Sequence, residues 1–247
     1  MKNLFVITIS VLFLGCSSPI VKVAAYNHAH KMLSEGDLYF HSKVYRSMEL
    51  ALSATDTVVK LGLYHDSLSA VPADIARLPY IQVLGLSNNN LESIPDFIAE
   101  MPFLQSIHLN QNSFDQFPEA LTKCNHLENI LLSDNQLTSL PSTIRNMTRL
   151  KSIVLNENSF TEFPEALLNL ENLETMGLRN NQLKELPDDI CKLKNLKRLD
   201  LMKNNISRLP DCIMQMRLET LLLKKNPMSS AYINELRTKM PNTKIEF

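Results

Sequence analysis

The residues of this chain best suited to chemistry are a group of histidines near the amino terminus and a few cysteines and glycines. His28, His30 and His41 lie close together in sequence. Clustered imidazoles can ligate zinc, but no acidic or cysteine partner has the spacing of a metal ligand, so we interpret them as solvated. The five glycines never fall two to a loop, which excludes a phosphate-binding cradle, and GxSxG, HExxH and CxxC motifs are absent. The sequence therefore predicts a protein that is not an enzyme and holds no metal or cofactor.

A repeat of 23 residues must position every other feature. Proline recurs at this step, and a polar residue, nearly always asparagine, recurs six residues before each proline. The prolines are Pro72, Pro95, Pro118, Pro141, Pro164 and Pro187, followed by Pro210. The unit reads L-x-x-L-x-L-x-x-N-x-L-x-x-L-P-x-x-I-x-x-L-x-x. A fixed period of this length indicates a stack of similar supersecondary units, each packed on its neighbours.

This unit resembles the leucine-rich repeat family, specifically its 23-residue bacterial and Ras-suppressor-like class. The resemblance covers residues 58 to about 247, with seven full repeats and one partial repeat. It implies an α/β fold, a leucine-rich repeat solenoid. Such a solenoid has a curved parallel β-sheet on its concave side, irregular or 3₁₀ segments on its convex side, and short helices that cap its ends.

The division of the chain follows from the repeat and its flanks. Residues 44–57 are predicted to form an amino-terminal helical cap, residues 58–228 the repeats, and residues 229–247 a carboxy-terminal cap. Within the caps we expect a short helix over residues 47–54 and another over residues 231–240. The second carries Ile233, Leu236 and Met240 on its apolar face and is ended by Pro241. Ile245 and Phe247 alternate like a final extended edge. Each cap covers apolar core that a solenoid end would otherwise expose.

The recurring asparagines are predicted to form a structural ladder. A buried amide side chain can bond the backbone of its own turn and of the next turn, and the loss of one such partner costs about 1–3 kcal/mol. The predicted ladder consists of Asn89, Asn112, Asn135, Asn158, Asn181, Asn204 and Asn226.

The amino terminus carries a second signal. Met1-Lys2-Asn3 precedes an apolar run from Leu4 to Leu14, which is too short to span a bilayer and fits a secretory signal. Gly15-Cys16 after this run resembles the lipobox of bacterial lipoproteins, with Phe13 where that motif prefers leucine. The resemblance implies a signal peptide over residues 1–15, a diacylated Cys16, and a lipid anchor and tether over residues 16–43. Ordinary secretion and a simple hydrophobic start are the alternatives.

The remaining cysteines and the composition bear on compartment and partners. Cys124 replaces leucine in its column and is expected to be buried. The spacing of Cys191 and Cys212 allows a disulfide between them but does not require one. A net charge of −1, no tryptophan and 6% aromatic residues give no reason to expect nucleic acid as a partner. We expect a monomer that touches a membrane only through its lipid.

The concave face is the predicted binding surface, because non-core strand positions project from it. Leu131 and Val154 are expected there as exposed apolar residues of adjacent repeats, inside a charged rim that becomes basic toward the carboxy terminus. The predicted ligand-binding residues are His108, Asn110, Leu131, Asp134, Val154, Asn156, Glu157, Arg179, Arg198 and Lys203.

The sequence therefore favours a non-catalytic module that binds a protein or peptide and is lipid-anchored in the bacterial cell envelope, at the outer membrane. A secreted or soluble periplasmic location is the alternative. Two other functions remain open: a glycan-binding surface adhesin, and a structural envelope spacer without a specific ligand. The scarcity of aromatic residues on the concave face, where we expect only Tyr64, argues against the adhesin.

Overall fold

The structure, a computed structural model, describes residues 32–33 and 42–247. The predicted signal sequence, Cys16 and most of the tether, including its three histidines, lie outside the described residues. Within residues 42–247 the chain forms one ten-stranded parallel sheet, and neighbours in sequence are neighbours in the sheet. No helix of the described residues is long and apolar enough to cross a membrane.

The strands are short and recur with the repeat, as the L-x-x-L-x-L pattern predicts. They are β1 Val44–Tyr45, β2 Lys60–Gly62, β3 Val83–Gly85, β4 Ser106–His108, β5 Asn129–Leu131, β6 Ser152–Val154, β7 Thr175–Gly177, β8 Arg198–Asp200, β9 Thr220–Leu222 and β10 Lys244–Glu246. The predicted parallel solenoid is confirmed. The sequence indicated eight strands, and the structure adds one at each end, of which β10 corresponds to the expected extended edge.

The convex side consists of 3₁₀ turns, each begun by a proline of the repeat. The turns are Ala73–Arg77, Asp96–Glu100, Glu119–Lys123, Ser142–Asn146, Glu165–Asn169, Asp188–Lys192 and Asp211–Gln215. In each one the proline carbonyl accepts the hydrogen bond that closes the turn, as Pro141 O does from Ile144 N at 3.1 Å. Proline suits this place because its fixed φ and missing N–H end the strand pairing there.

The core lies between the sheet and these turns and runs the length of the solenoid. The central residue of each strand from β2 to β9 is at most 1% exposed, and Phe114 and Phe160 are the largest fully buried side chains. Within the part of the chain that the structure describes, one continuous apolar cluster joins all the repeats. Each repeat therefore depends on its neighbours for burial.

The two caps close the ends of this core. Helix α1, Met48–Leu52, begins after Ser47, whose hydroxyl accepts from Leu50 N, and it buries Ala51. Helix α2, Ser230–Lys239, buries Tyr232 and Leu236. The hydroxyl of Tyr232 accepts from Leu209 N at 3.1 Å, which ties α2 to the last full repeat. The sequence indicated Ile233 as the start of the buried face, but it is half-buried while Tyr232 is 5% exposed.

The structure pairs Cys191 with Cys212 in a disulfide between neighbouring convex turns, with Cα atoms 6.1 Å apart. Cys124 is buried and free, and burial raises the pKa of its thiol to about 12, so this thiol has little thiolate character.

Reduction of the Cys191–Cys212 disulfide should lower the free energy of unfolding by about 2–3 kcal/mol, because the crosslink restricts the unfolded chain. Urea denaturation with and without dithiothreitol measures this loss. The Cys191→Ser/Cys212→Ser double variant is the control and should show no further loss on reduction. Equal denaturation midpoints for the oxidised and reduced protein would contradict the prediction.

Candidate functional site

The strand register aligns the concave side chains in rows along the solenoid. The last residue of each strand from β2 to β10 forms the middle row, in which His108, Leu131 and Val154 are consecutive neighbours. The complete row is Gly62, Gly85, His108, Leu131, Val154, Gly177, Asp200, Leu222 and Glu246. The structure therefore brings three of the sequence-predicted site residues into one continuous patch.

Leu131 and Val154 are less exposed than the sequence suggested. Both are half-buried. In the described part of the chain, the only exposed large hydrophobic residues are Val44 and Leu50. Strands about 4.8 Å apart crowd neighbouring side chains on a concave surface. The missing side chain of Gly177 leaves room for Val154 to pack down on the sheet, since a Cβ atom at Gly177 would lie 2.9 Å from Val154 Cγ1. Val154 thus lies over Gly177 and is only partly exposed on the concave face.

A tyrosine covers the amino-terminal end of the middle row. A Cβ atom at Gly62 would lie 2.4 Å from the Tyr64 ring, and one at Gly85 would lie 2.0 Å from the Tyr64 hydroxyl, so the ring rests on both glycines. The hydroxyl is 3.4 Å from His108 Nδ1, and His108 Nε2 is 3.2 Å from Ser106 Oγ. Burial lowers the pKa of His108. This end is therefore filled by the protein's own side chains, and burial favours the neutral form of His108.

Asn110 and Asn156 stand beside the middle row, two repeats apart. Asn110 Oδ1 accepts from Ser133 N and Asn156 Oδ1 from Arg179 N, both at 2.8 Å. The sequence assigned these residues to ligand contact alone, but their acceptors hold the backbone of the next repeat. Their Nδ2 groups donate no hydrogen bond within residues 42–247. Two amide donors therefore flank the patch.

A column of residues with positive φ follows the strands, one in each repeat. It contains Asp134, Glu157 and Lys203, with φ between 54° and 56°. The left-handed backbone fixes where these charged side chains leave the chain. Glu157 pairs with Arg179 Nη2 at 2.5 Å, whereas Asp134 and Lys203 are exposed. Arg179 Nε is buried and has no hydrogen-bond partner in the part of the chain that the structure describes.

The opposite flank of the sheet carries a ladder of alternating charges. Lys151 lies 2.8 Å from Glu128 and Lys197 lies 2.6 Å from Glu174, each pair joining one repeat to the next. This ladder is not among the features predicted from the sequence, although the alternation of sign at a 23-residue step is visible there. A shallow depression there is lined by Glu128, Arg149, Lys151, Asn172, Glu174 and Asn195. Its charges are paired within the protein, so we do not assign the ligand to it.

The repeating asparagines lie beneath the concave face and hold its turns together. Asn158 Nδ2 donates to Leu132 O at 2.9 Å in the preceding repeat and to Leu155 O in its own, and its Oδ1 accepts from Leu137 N at 3.0 Å. The same three kinds of bond recur at Asn89, Asn112, Asn135, Asn181, Asn204 and Asn226. These side chains are turned inward to backbone groups, and they position the surface without belonging to it.

The repeats place the protein in a known class. A family model described as leucine rich repeat matches residues 79–137, 125–183 and 171–228, which together make up more than half of the chain. The chain belongs to the leucine-rich repeat family. No curated protein sequence matches it significantly.

Several solved structures share the fold. The ectodomain of the Arabidopsis thaliana receptor kinase GASSHO1/SCHENGEN3, solved in complex with CASPARIAN STRIP INTEGRITY FACTOR 2, is 26% identical with a TM-score of 0.56, over 76% of this chain and 23% of the receptor chain. The plant peptide hormone receptor RGFR1, in complex with RGF2, is 24% identical with a TM-score of 0.56, over 75% and 36% of the two chains.

A bacterial structure matches over more of its own length. Internalin C2 from Listeria monocytogenes is 18% identical with a TM-score of 0.67, over 79% of this chain and 82% of the internalin chain. The chain spans about a quarter to a third of the plant receptors, so the comparison with them concerns the repeat domain alone.

Proposed function

We propose that the chain is a non-catalytic binding module that is held in the bacterial cell envelope by a lipid on Cys16 and takes a protein or peptide ligand on its concave sheet. The observation that carries the proposal is the patch at the centre of that sheet. Half-buried Leu131 and Val154 lie in the middle row, and the free amide donors of Asn110 and Asn156 lie in the row beside it. An apolar centre surrounded by polar and charged groups is the usual composition of a protein interface.

A peptide suits this patch because its chemistry is complementary. Apolar ligand side chains would cover Leu131 and Val154, while ligand carbonyl groups would accept hydrogen bonds from Asn110 and Asn156. The two amides are two strands apart, a separation of about 10 Å, which is roughly three residues of an extended peptide. The plant receptors with the same fold, whose structures contain named ligands, support this assignment by similarity.

The Leu131→Glu/Val154→Glu double variant should remove ligand binding and leave the protein folded, because two carboxylates would be placed in the apolar centre of the interface. Affinity capture from an envelope extract, with circular dichroism as the test of folding, measures this. The matched control is Thr138→Glu/Thr161→Glu, which adds the same charge to exposed positions of the same two repeats, away from the strands. A folded double variant that captures the same protein as wild type would refute the site.

Glycan adhesion and a spacer role make different predictions for the same variants. Tyr64, the aromatic residue expected on this face, has its ring against Gly62 and Gly85, which leaves it poorly placed to stack on a sugar. An adhesin would bind a glycan array, and a spacer would show no binding and would tolerate changes across the whole concave face.

Export from the cytoplasm is the second part of the proposal. The Cys191–Cys212 disulfide supports it independently of the amino-terminal sequence, because structural disulfides persist in oxidising compartments such as the periplasm and the cell surface. Outer-membrane attachment remains a proposal that rests on the lipobox alone.

Replacement of Cys16 by serine should prevent lipidation, since acylation requires the thiol. In bacteria fed labelled palmitate, the wild-type chain should carry label and sediment with membranes, whereas Cys16→Ser should carry none and appear in the soluble fraction. Cys124→Ser is the control and should keep the label. An unlabelled wild-type chain would favour ordinary secretion.

A further inference from the structure

We propose that the carboxy-terminal end of the concave face binds an acidic segment of the peptide or protein ligand. The inference rests on the proposed function and adds the chemistry of the ligand. The distal basic surface, as we name it, consists of Arg198, Lys203, Lys224 and Lys225, which are all exposed.

Unlike Lys151, Arg179 and Lys197, these four cations have no carboxylate partner within residues 42–247. On the flank, the ammonium groups of Lys151 and Lys197 each lie within 3 Å of a glutamate of the preceding repeat. None of the four residues of the distal basic surface forms an ion pair within residues 42–247.

The strand register explains why these charges stay unpaired. Arg198 lies in register with Thr175, which is neutral. Lys203 follows Asn180 in the column of positive φ, and Lys224 follows Met202 in the row beside the strands. The repeat therefore places no acidic side chain one turn before any of these cations.

Two of the cations also come from equivalent positions of neighbouring turns. Lys203 and Lys225 occupy the same column in consecutive turns, with φ of 54° and 63°. Lys203 N donates to Lys224 O at 2.8 Å, so these backbones are in direct contact. Like charges on neighbouring strands repel each other, and an anionic ligand would relieve that repulsion.

The surroundings favour an acidic peptide over a uniform polyanion. Glu246 lies among the cations, paired with Lys244 at 2.9 Å, and Lys244, with smaller effects from Arg198 and Lys224, lowers the pKa of its carboxyl. A dense chain of phosphates would be repelled there. Met202 is half-buried between the positions of Arg179 and Lys224 and offers an apolar contact. Alternate residues of an extended peptide face one side, so a peptide with an acidic residue at every second position can turn all of its carboxylates toward these cations.

Fluorescence polarisation with three labelled decapeptides tests the inference on the purified full-length chain. The peptides alternate leucine with glutamate, glutamine or lysine. We expect the glutamate peptide to bind about tenfold or more tightly than the other two, and to lose most of that advantage in high salt.

The Lys203→Gln/Lys224→Gln/Lys225→Gln variant should bind the glutamate peptide about tenfold more weakly than wild type and the glutamine peptide with unchanged affinity. The matched control removes the same charge from exposed positions outside the strands, with Arg145→Gln/Lys194→Gln/Arg217→Gln, and should bind like wild type. Equal weakening in both variants would overturn the inference, because it would mean attraction to net charge alone.

Other outcomes separate this inference from the proposed function. If the glutamine peptide binds as tightly as the glutamate peptide, and Leu131→Glu/Val154→Glu removes both, the concave site stands and the acidic preference is overturned. If inorganic polyphosphate displaces the glutamate peptide and binds more tightly, through the same three lysines, the ligand is a polyanion and the peptide assignment is overturned. If none of the peptides binds, the inference fails, while the capture experiment still decides the proposed function.

Discussion

Replacement of Phe160 by alanine should lower the free energy of unfolding by about 3–5 kcal/mol, the largest loss we expect from a single substitution in this chain. Phe160 is 0% exposed and lies two residues after the ladder asparagine of its repeat. Alanine would leave a cavity inside a close-packed stack, and both neighbouring repeats would lose contacts. Urea denaturation followed by circular dichroism measures the change.

The neighbouring repeats supply the control for this prediction. Leu137 and Leu183 fill the equivalent position one turn before and one turn after Phe160. Phe160→Leu should therefore cost clearly less, about 1–2 kcal/mol, because this position of the repeat accommodates leucine. If Phe160→Ala and Phe160→Leu cost the same, the aromatic ring does not fill the space that the structure gives it.

Replacement of Asn204 by alanine should lower the free energy of unfolding by about 2–4 kcal/mol. Asn204 is 4% exposed; its Oδ1 accepts from Leu183 N at 3.0 Å and its Nδ2 donates to Leu178 O at 2.9 Å. Alanine would leave the N–H of Leu183 and the carbonyl of Leu178 without their partner in a buried place.

The adjacent residue provides a matched control for the ladder. Asn205 is exposed, and its side chain makes no hydrogen bond within residues 42–247. Asn205→Ala should change the free energy of unfolding by no more than about 0.5 kcal/mol. If Asn204→Ala is as mild as Asn205→Ala, the asparagine column does not hold the turns together.

The regular parts of this protein could be predicted from the sequence because each depends on one period. The step of 23 residues sets the strand register, so the sequence alone placed His108, Leu131 and Val154 in one row. The prolines likewise indicated where the chain leaves the sheet. In a solenoid, a residue's row and its depth follow from its position within the repeat.

The irregular parts could not be predicted, because they depend on contacts between particular side chains. The ring of Tyr64 covers Gly62 and Gly85 only because both positions lack a Cβ atom. Tyr232 is buried in place of Ile233 because its hydroxyl reaches the backbone of Leu209. Neither contact leaves a periodic trace in the sequence.

The sequence predicted that the residues of the candidate site lie on the concave face, but it did not predict their burial or their hydrogen bonds. Leu131 and Val154 are half-buried, and the acceptors of Asn110 and Asn156 hold the next repeat. Side-chain burial on a curved sheet depends on the size of the residues on both neighbouring strands. The position of a residue within the repeat does not give that size.

The measurement that tests the central claim most directly is a calorimetric titration of the captured ligand into three forms of the full-length chain. We predict the same affinity for wild type and for Thr138→Glu/Thr161→Glu, and a loss of at least a hundredfold for a folded Leu131→Glu/Val154→Glu variant, or about 3 kcal/mol. Equal affinities for all three forms would place the ligand elsewhere on the molecule and contradict the account.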